Sequence, residues 1–209
     1  MARSCCALTL GTRSQVVILD NHRFHVITGA SGGGKSTLVA ALRDLGYSTI
    51  PEAALAIMRE QLKCNGKLLP SVDRVAFMEA VLGRSIQDYE TAQSLKGPVF
   101  FDRGIPEWLR FLGTSAQPNV IAAKQCRYAG TVFVAEPWPE IFVCDHYRQH
   151  RYERAAKSYE PTISAYIEAG YKTCVIPKVS VQERVKFILA QIETGAQQVH
   201  RANVGSAGS

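Results

Sequence analysis

Gly29-Ala30-Ser31-Gly32-Gly33-Gly34-Lys35-Ser36-Thr37 (GASGGGKST) follows the apolar run Phe24-His25-Val26-Ile27-Thr28 and precedes Leu38-Val39-Ala40-Ala41-Leu42. The stretch sits where a strand becomes a helix. It fits the pattern G-x-x-x-x-G-K-[ST] at Gly29, Gly34, Lys35 and Ser36, the signature of a phosphate-binding loop. Glycine-rich backbone can turn consecutive N–H groups toward one anion, and the helix that begins near Lys35 adds unsatisfied N–H groups and the positive end of its dipole. Residues 29 to 37 are therefore the expected nucleotide-binding segment. Lys35 is placed to reach the β- and γ-phosphates, and Ser36 to offer its hydroxyl to Mg2+.

Outward from the loop, the chain alternates strand-like and helix-like runs. Before it, Gln15 to Asp20 (QVVILD) reads as an extra hairpin strand beside Phe24 to Thr28. After it, Leu38, Ala41, Leu42 and Leu45 share one helical face, and Gly46 stops the helix. Tyr47 to Ile50 is the second strand, and it delivers Glu52 to its carboxyl end. Helices are expected from Ala53 to about Lys63 and from Val72 to about Ser94. Val99-Phe100-Phe101-Asp102 is a buried strand ending in a carboxylate, followed by Arg103 and a short helix from Glu107 to Leu112, with Pro106 in its first turn. A helix from Asn119 to Arg127, a strand from Thr131 to Ala135, a helix from Tyr159 to Ala169, a strand from Lys172 to Ile176 and a helix from Val181 to Ile192 complete the series.

Five parallel strands alternating with helices predict an α/β fold: a three-layer, doubly wound domain around a mostly parallel five-stranded sheet. Its expected extent is 15–195, with disordered tails at 1–14 and 196–209. Between about 139 and 158 the sequence turns polar and basic. Arg148, Arg151, Arg154 and Lys157 recur every three residues along one side of a helical segment, which suits a lid. Trp108 and Trp138 read as packing residues, and so do Cys126, Cys144 and Cys174.

At 46% hydrophobic, the 209 residues are enough for one sizeable core. The net charge of +6 suits an anionic ligand, but it is too modest to imply nucleic acid, and no nucleic-acid partner is expected. The six cysteines form no C-x-x-C pair, so reduced thiols and a cytoplasmic location are expected. No apolar run approaches the ~20 residues of a transmembrane helix.

A GTP switch would carry a guanine-reading N-K-x-D segment, and an AAA or ABC motor usually has a glutamate directly after its Walker B aspartate. The sequence has no N-K-x-D, and Arg103 follows Asp102. Transfer is favoured over hydrolysis. The strand aspartate followed by arginine, with Glu52 at the end of the second strand, resembles deoxynucleoside and thymidylate kinases. That resemblance implies that either Glu52 or Asp102 orients and deprotonates an acceptor hydroxyl, the other helping to place Mg2+ through water. It also implies that Arg103 holds the acceptor or its phosphate, while Arg148, Arg151 and Arg154 close over the phosphates.

Residues 23 to 190 resemble the family described as "predicted ATPase", which is similar to the ribosylnicotinamide kinase half of NadR-type proteins. The resemblance is carried by FHVITGASGGGKSTL, Pro51-Glu52-Ala53-Ala54, FFDRGIPE (100–107), VFVAEPWPEIFVCDHYR (132–148) and GYKTCVIPKVSVQERVKFIL (170–189). It implies binding of a nucleoside triphosphate, ATP or GTP, with Mg2+. The expected activity is a kinase of a small hydroxylated, nucleoside-like metabolite. Some relatives are nucleotide-dependent regulators that bind GTP and phosphoinositides. This leaves two alternatives, a nucleotide-gated protein with a peripheral lipid or protein partner and a slow NTPase without an acceptor.

Overall fold

The computed structural model describes residues 19–112, 118–142 and 152–205. In chain order these form β1 (Leu19–Asp20), β2 (Phe24–Gly29), α1 (Lys35–Asp44), β3 (Ser48–Ile50), α2 (Ala53–Lys63), α3 (Arg74–Ala92) and β4 (Val99–Asp102). They continue with α4 (Ile105–Leu112), α5 (Pro118–Gln125), β5 (Cys126–Arg127), β6 (Thr131–Ala135), a 3-10 turn (Pro139–Ile141), α6 (Tyr152–Lys157), α7 (Tyr159–Glu168), β7 (Lys172–Val175) and α8 (Val181–Gly205). Five strands make one sheet in the order β3-β4-β2-β6-β7, and every neighbouring pair is parallel. The expected α/β, doubly wound, five-stranded parallel fold is what the chain adopts.

Period-two alternation along the strands divides the interior into two cores. Phe24, Val26, Val99, Phe101, Val132 and Val134 face the helical layer that includes α3, α4 and α7. Ile27, Phe100, Phe133 and Ala135 face the opposite layer, where Leu38, Val39 and Leu42 of α1 meet Val185 and Ile188 of α8. Each of these strands is buried on both faces, which is why Val99-Phe100-Phe101 reads as a continuous apolar run rather than an alternating one. The central β2 has β4 on one side and β6 on the other, with Ile27 in register with both Asp102 and Phe133. That register puts Asp102, the last residue of β4, beside Ile27, and Gly29, the last residue of β2, beside Ala135, the last residue of β6.

The structure corrects several boundaries. Residues 15–18 lie outside the described set, and Leu19–Asp20 does not form a hairpin with β2. It pairs in parallel with Cys126–Arg127, the last two residues of the expected fifth helix. The Asn21 N–H donates to the Arg127 carbonyl, and this carries the chain past Arg127 before it turns into β2. Leu45 is periodic with Leu38 and Leu42 but is 63% exposed, because the helix ends at Asp44 and Gly46 turns the chain at φ +90°. The last helix continues beyond Ile192 to Gly205, through much of the stretch expected as a tail. Cys126 is buried and Cys64 exposed, whereas Cys144 lies outside the described residues.

This difference between Leu42 and Leu45 can be measured by chemical unfolding. Leu42→Ala should lower the unfolding free energy by about 2–5 kcal/mol, whereas Leu45→Ala should stay within about 0.5 kcal/mol of the native protein. Equal losses would contradict the end of α1 described above.

Candidate functional site

Three strand ends converge on the loop from Gly29 to Thr37. Gly29 closes β2 at φ +120°, and a Cβ built there would collide with the Ala135 carbonyl at the end of β6. The same carbonyl accepts a 3.0 Å hydrogen bond from the Ala30 N–H, so the loop is seated directly on the neighbouring strand. Only a residue without a side chain permits so close an approach. Gly34 precedes the first residue of α1 at φ +75°. Lys35, at 5% exposed, curls back over the loop and donates to the carbonyls of Ala30 at 2.6 Å and Gly29 at 3.3 Å.

From β4, Asp102 arrives beside the loop. The Ser36 hydroxyl donates to Asp102 Oδ2 at 3.1 Å, while Oδ1 is buried with no hydrogen-bond partner. Burial, then the charge of Glu52, pushes the Asp102 carboxyl above its ordinary value, against Lys35, Arg103 and the Ser36 hydrogen bond. An unpaired carboxylate oxygen beside a serine hydroxyl is the kind of hard oxygen pair that suits Mg2+, whose remaining positions come from phosphates and water.

Arg103 occupies the turn after β4 in the left-handed region at φ +71°, an uncommon conformation for a residue with a side chain. Two carboxylates hold it there. Its Nη1 donates to Glu107 Oε2 at 2.6 Å, an i,i+4 pair that joins the turn to α4. Its Nε lies 3.1 Å from Glu52 Oε2, an ion pair without the alignment of a hydrogen bond. Burial acts to lower the guanidinium's proton affinity, but the charges of Glu52, Glu107 and Asp102 outweigh it and hold the group above its ordinary value. Glu52 itself is the N-cap residue of α2. A cavity of about 110 Å³ opens between the loop and this pair, with Ser31, Lys35, Ser36, Glu52 and Arg103 in its wall and Leu55 and Met58 as its apolar side.

A family model for an AAA domain matches residues 24–184. The chain belongs to that AAA domain family. No curated protein matches it. Among solved structures, shikimate kinase from Acinetobacter baumannii in complex with shikimate is similar at a TM-score of 0.48 and 16% identity, over 86% of this chain and 98% of that one. Deoxyadenosine kinase from M. mycoides, with dCMP and dCDP products, has a TM-score of 0.49 and 15% identity over 82% and 98%. Shikimate kinase from Aquifex aeolicus has 0.46 and 16% over 83% and 98%.

Within this AAA domain, the structure brings together Gly29 to Thr37, Glu52, Asp102 and Arg103 as the sequence suggests. Arg148 and Arg151 lie outside the described residues. Arg154 falls in α6, and its side chain is likewise outside the description. Trp108 packs in the core as expected, at 8% exposed, with the Arg103 guanidinium 5.9 Å from its ring centroid.

Sequence reading assigned no role to Glu107, Tyr166 or Arg184. Glu107 is 2% exposed and accepts at Oε1 from the Thr28 hydroxyl (3.1 Å), the Gly104 N–H (3.3 Å) and the Tyr166 hydroxyl (2.9 Å). The Tyr166 oxygen also accepts from the Gly104 N–H at 2.8 Å. The i,i+4 spacing from Arg103 to Glu107 was the available signal. For Tyr166 there was none, because its partners lie 59 and 62 positions away.

The lysine gives the AAA domain a measurable pH signature. Burial, then the Arg103 charge, pushes Lys35 from 10.5 down to about 8, against Asp102, Glu52 and Glu107. The unfolded chain keeps that proton up to the ordinary value, whereas the ligand-free folded chain releases it near 8. The Lys35 contribution to stability should therefore rise from about pH 8 toward 10.5, by roughly 3 kcal/mol at most. Subtracting the Lys35→Met profile from that of the native protein isolates this rise. A flat difference would contradict the burial described here.

Proposed function

We propose that this AAA domain is an ATP- and Mg2+-dependent kinase that transfers the γ-phosphoryl group to a hydroxyl of a small, nucleoside-like metabolite, as the ribosylnicotinamide kinase half of NadR-type proteins does. The observation that carries the reading is the placement of Asp102 and Glu52 on one side of the phosphate loop with Arg103 between them. The loop N–H groups and Lys35 hold the phosphate chain, Lys35 leaving the Ala30 carbonyl for the β- and γ-oxygens. Ser36 would hold Mg2+ together with Asp102, or with Glu52 where Asp102 is the base, and the ion would supply positive charge against that of the transferring group.

The acceptor hydroxyl enters beside Glu52 and Asp102. Either carboxylate serves as the base that takes its proton, the other helping to place Mg2+ through water. Arg103, fixed by Glu52 and Glu107, presents a guanidinium of set orientation to the acceptor side. Arg148, Arg151 and Arg154 belong to a lid spanning about 139–158 of a domain extending over 15–195, and they close over the phosphates and exclude water. GTP in place of ATP, with a lipid or protein partner reading the nucleotide state, is the second reading. It is favoured by the occupation of Arg103 by two carboxylates, which leaves the acceptor side tightly self-paired.

Incubation with Mg-ATP and pooled nucleosides and related metabolites, followed by detection of phosphorylated products, tests the proposal. A phosphorylated hydroxyl compound is expected. Asp102→Asn should lower turnover by about 10²–10⁴ with little change in nucleotide affinity, and Lys35→Ala should weaken nucleotide binding. Tight nucleotide binding with no acceptor phosphorylated would overturn the kinase reading in favour of the regulatory one.

A further inference from the structure

The order of the sheet gives the phosphate loop two different sides. Glu52 follows β3 and Asp102 ends β4, so both carboxylates flank β2 on the same side. On the other side, the end of β6 leads to Trp138, and the chain after β7 enters α8 and brings Arg184 back against the loop. A phosphate chain whose terminal group faces Asp102 therefore runs its nucleoside end toward Trp138 and Arg184.

Arg184 is 3% exposed. Its Nη2 donates to the Gly33 carbonyl at 3.0 Å, and its guanidinium lies 5.6 Å from the centroid of the Trp138 ring. Its Nη1 stands 2.6 Å from where a Cβ on Gly34 would be, so glycine at 34 leaves it room. The Nε is buried with no hydrogen-bond partner. The neighbouring carboxylates are engaged elsewhere, Glu136 with Lys178 at 3.5 Å and Glu183 with Ser180. A buried cation with a single backbone carbonyl as its described acceptor is expensive for a fold to keep, unless an anion completes it. Burial holds the guanidinium below its ordinary value, and no carboxylate among the described residues offsets this.

We propose that Arg184 is a nucleotide-binding residue. From the last helix it supplies the positive charge that meets the non-terminal phosphates of a nucleoside triphosphate, with the indole of Trp138 beside the nucleoside. The assignment rests on the phosphate-binding reading of the loop and extends it to a residue outside the motif. Among the described residues nothing compensates this cation in the ligand-free protein, so binding a polyphosphate removes a penalty that the free fold bears.

The sign of that penalty separates a ligand from a brace. Arg184→Met keeps length and apolar bulk while removing the charge. Calorimetric titration with tripolyphosphate and with ATP should show binding at least tenfold weaker in the variant, with a shallower dependence on salt. The thermal midpoint of the ligand-free variant should equal or exceed that of the native protein. Arg184→Lys should recover part of the lost affinity. Native-like affinity in Arg184→Met would overturn the assignment, and so would a ligand-free midpoint lowered by several degrees, because a structural brace behaves that way. If the native protein binds neither tripolyphosphate nor ATP, the phosphate-binding reading itself fails, and this proposal falls with it.

Discussion

One buried carboxylate, Glu107 of α4, ties together three other segments of this chain. Thr28 from β2, Gly104 from the turn after β4, Tyr166 from α7 and Arg103 all donate to its two oxygens. A charged group at 2% exposure is tolerated only when its lone pairs are matched this fully. The same bonds hold Arg103 in a left-handed conformation that its side chain disfavours. The geometry on the acceptor side of the loop thus depends on a residue that need not touch a ligand.

The opposite side of the loop is built differently. There, close backbone approach does the positioning, with Gly29 against Ala135 and the Ala30 N–H on the Ala135 carbonyl. Side-chain charge is sparse, and the described cations nearest the loop are Lys35, folded onto its own carbonyls, and Arg184. A site with paired carboxylates and an arginine on one flank and lightly paired cations on the other is polarised along the direction in which a phosphate chain would lie.

Much of this was legible in sequence. The loop, the Asp102 strand and the Glu52 position each follow from patterns spanning fewer than a dozen residues, and parallel strands buried on both faces announce themselves as apolar runs. What was not legible depends on distance in the chain. Arg184 meets Gly33 across a separation of 151 residues, and nothing in its own helix distinguishes it from Arg residues that face solvent. Leu45 misled because helical periodicity continues on paper past the point where the helix stops. The Leu19–Asp20 strand misled because a short apolar run next to a turn reads as a hairpin, whereas its partner, Cys126–Arg127, is remote.

The seating of Gly29 on Ala135 also bears on how the molecule comes into being. β2 is the first long strand of the chain, yet its two partners are β4 and β6, so its final hydrogen bonds wait until residue 135 is present. Pairings so distant carry loop-closure entropy that must be met before they stabilise anything, which slows folding of parallel sheets. A nascent chain that has emerged only as far as α3 holds the complete glycine motif but has no strand on either side of it. The phosphate loop, the earliest recognisable feature in the sequence, thus cannot take its final shape until β6 is present.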